Sequence, residues 1–385
     1  MKAMFAFIST NADHFVNYFL EKDEDIVEVE FKDAMSRFTN DAIASTAYGV
    51  QVDSLRDRDN TFYQMGRKGS NFTGIKTLFV ILFYQFAPRL AAFLRIPLID
   101  FKVQDFFTNL VGDSIEMRKT ENLKRNDVIG ILLDTQKGEL KSEKDTEIEE
   151  AGFAAVEEHL KGKEIKRDLS LFDIAAQTFL FFIAGFEGVS NLLCYVSYEL
   201  ALHPDIQQRL IEEIDENCSD DKTASYTKIM NMTYLDMVIS ETLRKWPFAL
   251  ATDREITKKY VLKPELPGEE AVTLEPGSVL LIAIGAIQRD PKYFPDPEKF
   301  DPERFSPENR KNINPYAYIP FGIGPRNCIG SRFALMEVKA LIFKILCHFE
   351  IVPTKKTQIP LIMNRKAFGF IPIDGFHLGL KKRNI

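Results

Sequence analysis

Cys328 is the residue of this chain best placed to do chemistry. It lies near the end of Phe321-Gly322-Ile323-Gly324-Pro325-Arg326-Asn327-Cys328-Ile329-Gly330, which leads into 331–346, a proline-free run with apolar residues at helical spacing. A sulfur at the head of a helix meets the positive end of its dipole and amide groups that the helix leaves unpaired. Arg326 adds a positive charge close by. Such surroundings lower a thiol pKa and make the sulfur a ligand or a nucleophile. Gly322 and Gly330 let the backbone curl around it. The other cysteines, Cys194, Cys218 and Cys347, form no CxxC pair or Cys/His cluster, which argues against structural zinc and a disulfide framework. Cys194 and Cys347 lie in apolar helical stretches and read as buried thiols without a role. A Cys/His hydrolase stays open, because the chain has five histidines. None of them sits in a comparable loop, and His203, followed by Pro204, reads as a helix cap.

Three other groups of residues matter. Ala184-Gly185-Phe186-Glu187-Gly188 lies in a long apolar stretch; Ala184, Gly185 and Gly188 share a face almost bare of side chains, beside the acid Glu187. That face admits something bulky and planar, or simply packs closely on another helix. Glu241 and Arg244 are spaced to pair on one helix face. Arg304, in the proline-bracketed turn Asp301-Pro302-Glu303-Arg304-Phe305, either joins them in a buried triad or stands exposed.

The elements that must position these residues are mostly helical. Periodicity predicts helices near 2–20, 32–48, 73–94, 99–118 and 126–137, then over 138–168 a densely charged stretch with a short amphipathic interlude that reads as a solvated loop. A long helix runs from Ser170, with Ser170 or Asp168 as its cap, to about Leu202, where His203-Pro204 stops it. Helices at 204–217 and 230–246 follow. Short β runs separated by Pro-Gly turns occupy 250–285, a proline-rich meander 290–325, and strand-like alternation 348–385. The fold class is mainly α with a smaller β part, arranged as one domain: helix-rich 1–246, β and meander 247–320, cysteine loop and helix 321–348, C-terminal strands 349–385.

A chain of 385 residues, 45% hydrophobic, can bury a large core, and 32 phenylalanines against one tryptophan suggest a spacious aromatic interior. A net charge of −7 and a pI near 5.5 argue against nucleic acid as a partner. The apolar run 78–87 is too short to cross a bilayer and suits a buried or interfacial helix.

In their order and separations these motifs resemble those of the cytochrome P450 family, haem-thiolate monooxygenases, and most closely its insect microsomal branch. The resemblance rests on the Phe-x-x-Gly-x-Arg-x-Cys-x-Gly loop at 321–330, Glu-x-x-Arg at 241–244, Pro-Glu-Arg-Phe at 302–305 and Ala-Gly-x-Glu at 184–187, and it covers essentially the whole chain. It implies haem b as cofactor, with Cys328 as the axial thiolate on iron and Phe321 packed near the sulfur. Arg326 would bind one haem propionate and Arg254 another. Ala184, Gly185, Glu187 and Gly188 would line the side where oxygen binds. Substrate would touch 248–252, 72–95 and 367–371. The implied partners are NADPH-cytochrome reductase, met by a set of cations (Arg289, Arg310, Lys311, Arg326, Arg332), and a lipophilic small molecule. The implied location is the cytosolic face of the endoplasmic reticulum membrane, with peripheral contact.

Two departures from the family pattern qualify the activity. Gly188 stands where most members carry a threonine that helps deliver protons, and members without it include enzymes that isomerise hydroperoxides; Ser190, about 200° further round the helix, does not replace that hydroxyl directly. The family's N-terminal anchor, first strands and haem-covering helix have no counterpart, so the chain reads as a fragment or a truncated product. An isomerase or peroxygenase, and a haem-binding remnant without turnover, are therefore the alternatives to a monooxygenase.

Overall fold

The computed structural model describes residues 1–71, 75–94, 96–137, 152–155, 168–218, 223–264, 266–364 and 371–383. In chain order the elements are α1 (Lys2–Leu20), β1 (Ile26–Glu30), α2 (Phe31–Ile43), α3 (Thr61–Ser70), α4 (Ile75–Phe86), α5 (Pro88–Phe93), α6 (Phe101–Thr120) and α7 (Val128–Lys137). Then come α8 (Leu171–Leu202), α9 (Pro204–Asn217), α10 (Tyr226–Met230), α11 (Thr233–Lys245), β2 (Thr252–Glu255), β3 (Tyr260–Leu262), β4 (Val272–Leu274) and β5 (Val279–Ile282). The chain closes with α12 (Ile284–Ile287), α13 (Ser331–His348), β6 (Phe349–Pro353) and β7 (His377–Lys382). Among the described residues the strand pairs are antiparallel: β1-β7-β6 form one sheet, and β2-β5 and β3-β4 form separate ribbons. The architecture is mainly helical with small sheets, as the periodicity predicts.

The central helix α8 starts where the sequence places it. Ser170 accepts from the Asp173 amide while Asp173 accepts from the Ser170 amide, a reciprocal capping box. His203 ends the helix, and Pro204, which needs no amide partner, opens α9. By length and composition α8 could cross a bilayer, yet more than half of its most apolar window is buried among other helices. It is a core helix. Its N-terminal half contributes Ile174, Phe179, Phe182 and Phe186 to a cluster with Tyr48, Phe62 and Phe107. From Val189 onward it joins a larger cluster with α1, α11 and α13. The bare stretch of α8 lies at the junction of the two.

Three expectations change. The predicted helix over 73–94 is two helices, because Pro88 removes an amide and restarts the chain as α5. α3 is absent from the sequence expectation, since Gly66 and Gly69 weaken its helical signal. Those glycines admit rings of α8: a Cβ at Gly66 would lie 2.2 Å from Phe182 Cζ, and one at Gly69 2.7 Å from Phe179 Cζ. Most of the proposed solvated loop 138–168 lies outside the described residues, but 152–155 is packed rather than solvated. Ala154 is buried, Phe153 stacks on Tyr318 at 5.6 Å, and its amide donates to Asp236 Oδ2 at 2.9 Å.

Candidate functional site

The cysteine loop is shaped by its backbone. The Cys328 amide donates to the Phe321 carbonyl at 2.8 Å, that of Asn327 to Gly324 at 3.0 Å, and that of Gly322 to Ile319 at 3.0 Å. Gly322 (φ 73°) and Gly324 (φ 78°) adopt left-handed conformations that a side chain would strain. A Cβ at Gly330 would meet the Cys328 sulfur at 4.0 Å, an ordinary contact, so Gly330 lies directly beside the sulfur without crowding it. Gly330 is also the N-cap of α13 and offers no side chain to its first amides. Cys328 and Arg326 are exposed, together with Ile323 (45%) and Ile329 (70%), while Phe321 is half-buried against the larger core. The sulfur is presented outward on a glycine loop anchored by a buried helix.

On α8 the bare face is narrower than the sequence suggests. Nothing lies within 4 Å of a Cβ built at Gly188, and Ala184, one turn earlier, is exposed beside Leu180 (59%). Gly185, by contrast, is turned into α2, where a Cβ would come 2.7 Å from Ile43 Cδ1. At about 100° per residue, Ala184 and Gly188 nearly coincide around the helix while Gly185 points elsewhere. Gly185 is therefore a packing residue, and the open face belongs to Leu180, Ala184 and Gly188.

Lys32 is the site residue that sequence reasoning misses. From α2 its Nζ lies 2.8 Å from Glu187 Oε2 and donates to Ser190 Oγ at 2.8 Å, and Ser190 donates in turn to the Glu187 carbonyl at 3.2 Å. Glu187 and Ser190, three residues apart on one face of α8, are thus joined through a cation. No local pattern marks Lys32, because its partners lie 155 and 158 residues away in the chain.

The structure brings the three charged residues of the second motif together. Arg244 donates to Glu241 through Nε at 2.7 Å and Nη2 at 2.9 Å, both side chains fully buried, and Arg304 Nε lies 3.5 Å from Glu241 Oε1. Arg244 also donates to the carbonyls of Gln288 and Pro297, and Glu241 accepts from the Asp301 amide. Burial pushes the Glu241 carboxyl up, opposed by Arg244. Arg254 lies on β2, half-buried, donating to Thr252 Oγ1 and the Asp253 carbonyl. Among the cations expected to face a partner, Arg310, Lys311 and Arg326 are exposed, but Arg289 is drawn inward to the Lys245 carbonyl and Glu298. Of the expected substrate segments, Phe248 (57%), Leu250 (37%), Phe79 (65%) and Phe86 (82%) are exposed. The turn 367–371 lies outside the described residues except Ile371.

A thiol displayed at a helix head, a bare helical face and a buried Glu/Arg/Arg joint match one family. The family model for cytochrome P450 covers residues 1–378. The chain belongs to the cytochrome P450 family. Cytochrome P450 9e2 of Blattella germanica is 45% identical over 366 residues, which cover 94% of this chain and 66% of that protein. Probable cytochrome P450 9f2 of Drosophila melanogaster is 41% identical over 388 residues, 100% of this chain and 71% of its own length. Probable cytochrome P450 6a14 of the same fly is 40% identical over 356 residues, 92% and 66% respectively. The chain spans about two thirds of the length of these relatives.

P450s bind haem b, and the residues present fit it. The donor set is a soft sulfur at a helix head with Arg326 nearby, suited to an iron ligand and an anionic carboxylate edge. The open space at Gly188 and the exposed apolar side chains of Leu180, Ile323 and Ile329 suit a flat apolar ring. Cys328 would hold the iron, and Arg326 and Arg254 the propionates.

Proposed function

We propose that this chain acts as a haem-thiolate monooxygenase that places one atom of dioxygen into a lipophilic small molecule. Bound haem supplies the oxygen activation, with thiolate donation favouring O–O cleavage. The protein's own tasks are divided among the residues described. Cys328 supplies the axial sulfur, and Arg326 and Arg254 neutralise the propionates. Leu180, Phe248 and Leu250 exclude water and select an apolar substrate. Glu187 holds or passes a proton at its carboxylate, with Lys32 fixing that group's position.

Electrons would come from NADPH-cytochrome reductase, docked near the exposed Arg310, Lys311 and Arg326. The exposed phenylalanines of α4 and α5, Phe79, Phe86 and Phe93, would make peripheral contact with the endoplasmic reticulum membrane on its cytosolic side.

The observation that carries this reading is the outward presentation of Cys328 at the head of α13. The test is the carbon monoxide difference spectrum of the reduced, haem-loaded protein. A Soret band at the thiolate-ligated position is expected, and Cys328→Ser should abolish it. A band unaffected by that substitution would overturn the assignment.

The open space at Gly188 favours a second reading, a peroxygenase or hydroperoxide isomerase that needs no hydroxyl there. Turnover of an organic hydroperoxide without reductant, and none with NADPH and reductase, would select it. Haem binding with neither turnover would mark a catalytically inactive chain.

A further inference from the structure

Far from the Cys328 loop, two thiols meet. Cys218 Sγ lies 3.4 Å from Cys347 Sγ across 129 residues of sequence. Cys218 is the C-cap of α9, in an extended conformation (φ −78°, ψ 145°), and is half-buried; Cys347 is the penultimate residue of α13 and fully buried. A disulfide needs the sulfurs about 2.05 Å apart, so the pair must close by little more than 1 Å. Cys218 lies just beyond the end of α9, so it can move without disturbing a helical hydrogen bond. The junction around the pair is already fixed: Arg383 donates to Asp215 Oδ1 and Oδ2 of α9 at 3.1 and 2.6 Å, and to the Leu346 carbonyl of α13 at 2.6 Å.

We infer that Cys218 and Cys347 form a redox modification site, a reversible thiol–disulfide couple that braces the C-terminal ends of α9 and α13. The oxidant is a low-molecular-weight disulfide. The Cys218 thiolate, the more accessible of the two, attacks it, forms a mixed disulfide and releases one small thiol. Cys347, deprotonated, then attacks the Cys218 sulfur, and the departing small thiolate takes up the proton and leaves as the second small thiol. Two protein thiols are oxidised and one small disulfide is reduced. Burial pushes the Cys347 thiol up despite Lys344 and Arg383 nearby, so external reagents reach Cys218 first. The inference is independent of the monooxygenase reading, because neither cysteine belongs to the haem site.

The test is incubation of the haem-loaded protein with glutathione disulfide, followed by thiol blocking, digestion and mass spectrometry. The expected product is a peptide linking Cys218 to Cys347, reversed by dithiothreitol, together with a rise in thermal midpoint of a few degrees. Cys347→Ser should stop at a glutathione adduct on Cys218. If Cys347→Ser does not fold, Cys218→Ser provides the check, because it should leave Cys347 unmodified. A wild-type protein that stops at the Cys218 adduct, or is unmodified at both positions, would overturn the proposal.

Discussion

Two glycines one turn apart on α8 have opposite surroundings, and a methyl group distinguishes them. Gly188 has nothing within 4 Å of an added Cβ, whereas at Gly185 the Cβ would press on Ile43 at 2.7 Å. Replacing glycine by alanine inside a helix gains up to about 1 kcal/mol, while overpacking a core costs about 1–3 kcal/mol. Gly188→Ala should therefore raise the urea midpoint and Gly185→Ala should lower it or leave it unchanged; equal shifts would contradict the difference in packing. Gly188→Thr should fold equally well, and if proton delivery limits coupling, it should raise product formed per NADPH consumed. At this scale the sequence is readable where function is local. Cys328 is apparent from its glycines and following helix, because the loop's backbone hydrogen bonds run between near neighbours. Lys32 is not, since only the packing of α2 on α8 brings it to Glu187. Spacing alone groups Gly185 with the open face, because it does not say which side of a helix a neighbour covers.

Between elements, the Glu241 joint fastens the meander before the cysteine loop to α11. Glu241 holds Arg244, lies beside Arg304 and accepts from the Asp301 amide, and it is fully buried. Its removal leaves the buried Arg244 charge without its carboxylate, a loss of about 3–5 kcal/mol for buried pairs. Glu241→Ala should thus lower stability by that order in urea unfolding and lower haem retention with it. Glu241→Gln, which keeps the shape but not the charge, should fall between the two proteins. The helices were readable because their apolar periodicity and terminators are strong, as with Ser170 and His203-Pro204 on α8. α3 was hidden because the glycines that seat the rings of Phe179 and Phe182 also weaken the helical signal.

For the whole molecule, buried acids set the pH response. Burial pushes Asp41 up to about 6, although it accepts from the Ser54 amide and hydroxyl and from Asn40. Glu337, fully buried and without a hydrogen-bond partner among the described residues, is pushed up by the same cause. A carboxyl raised on folding binds its proton more tightly in the native state, so its contribution is greatest below the unfolded value near 4 and declines as pH rises through the folded value. For Asp41 that decline amounts to an order of 2–3 kcal/mol between about pH 4 and 7. Asp33, lowered by Arg37 and Arg58 against the opposing effect of burial, acts in the opposite sense, so the comparison must be with a variant. Asp41→Asn should flatten the pH dependence of urea unfolding across this window; an unchanged slope would rule Asp41 out as its source. α8 serves two hydrophobic clusters, with its bare stretch where they meet. If the cluster of Phe62 and Phe107 opened locally while the one rooted in α13 stayed folded, amide hydrogen exchange would be faster in α3 and α6 than in α13. Under the proposed monooxygenase reading, such an opening would admit a lipophilic substrate beside Gly188 while leaving the helix that carries the cysteine loop in place.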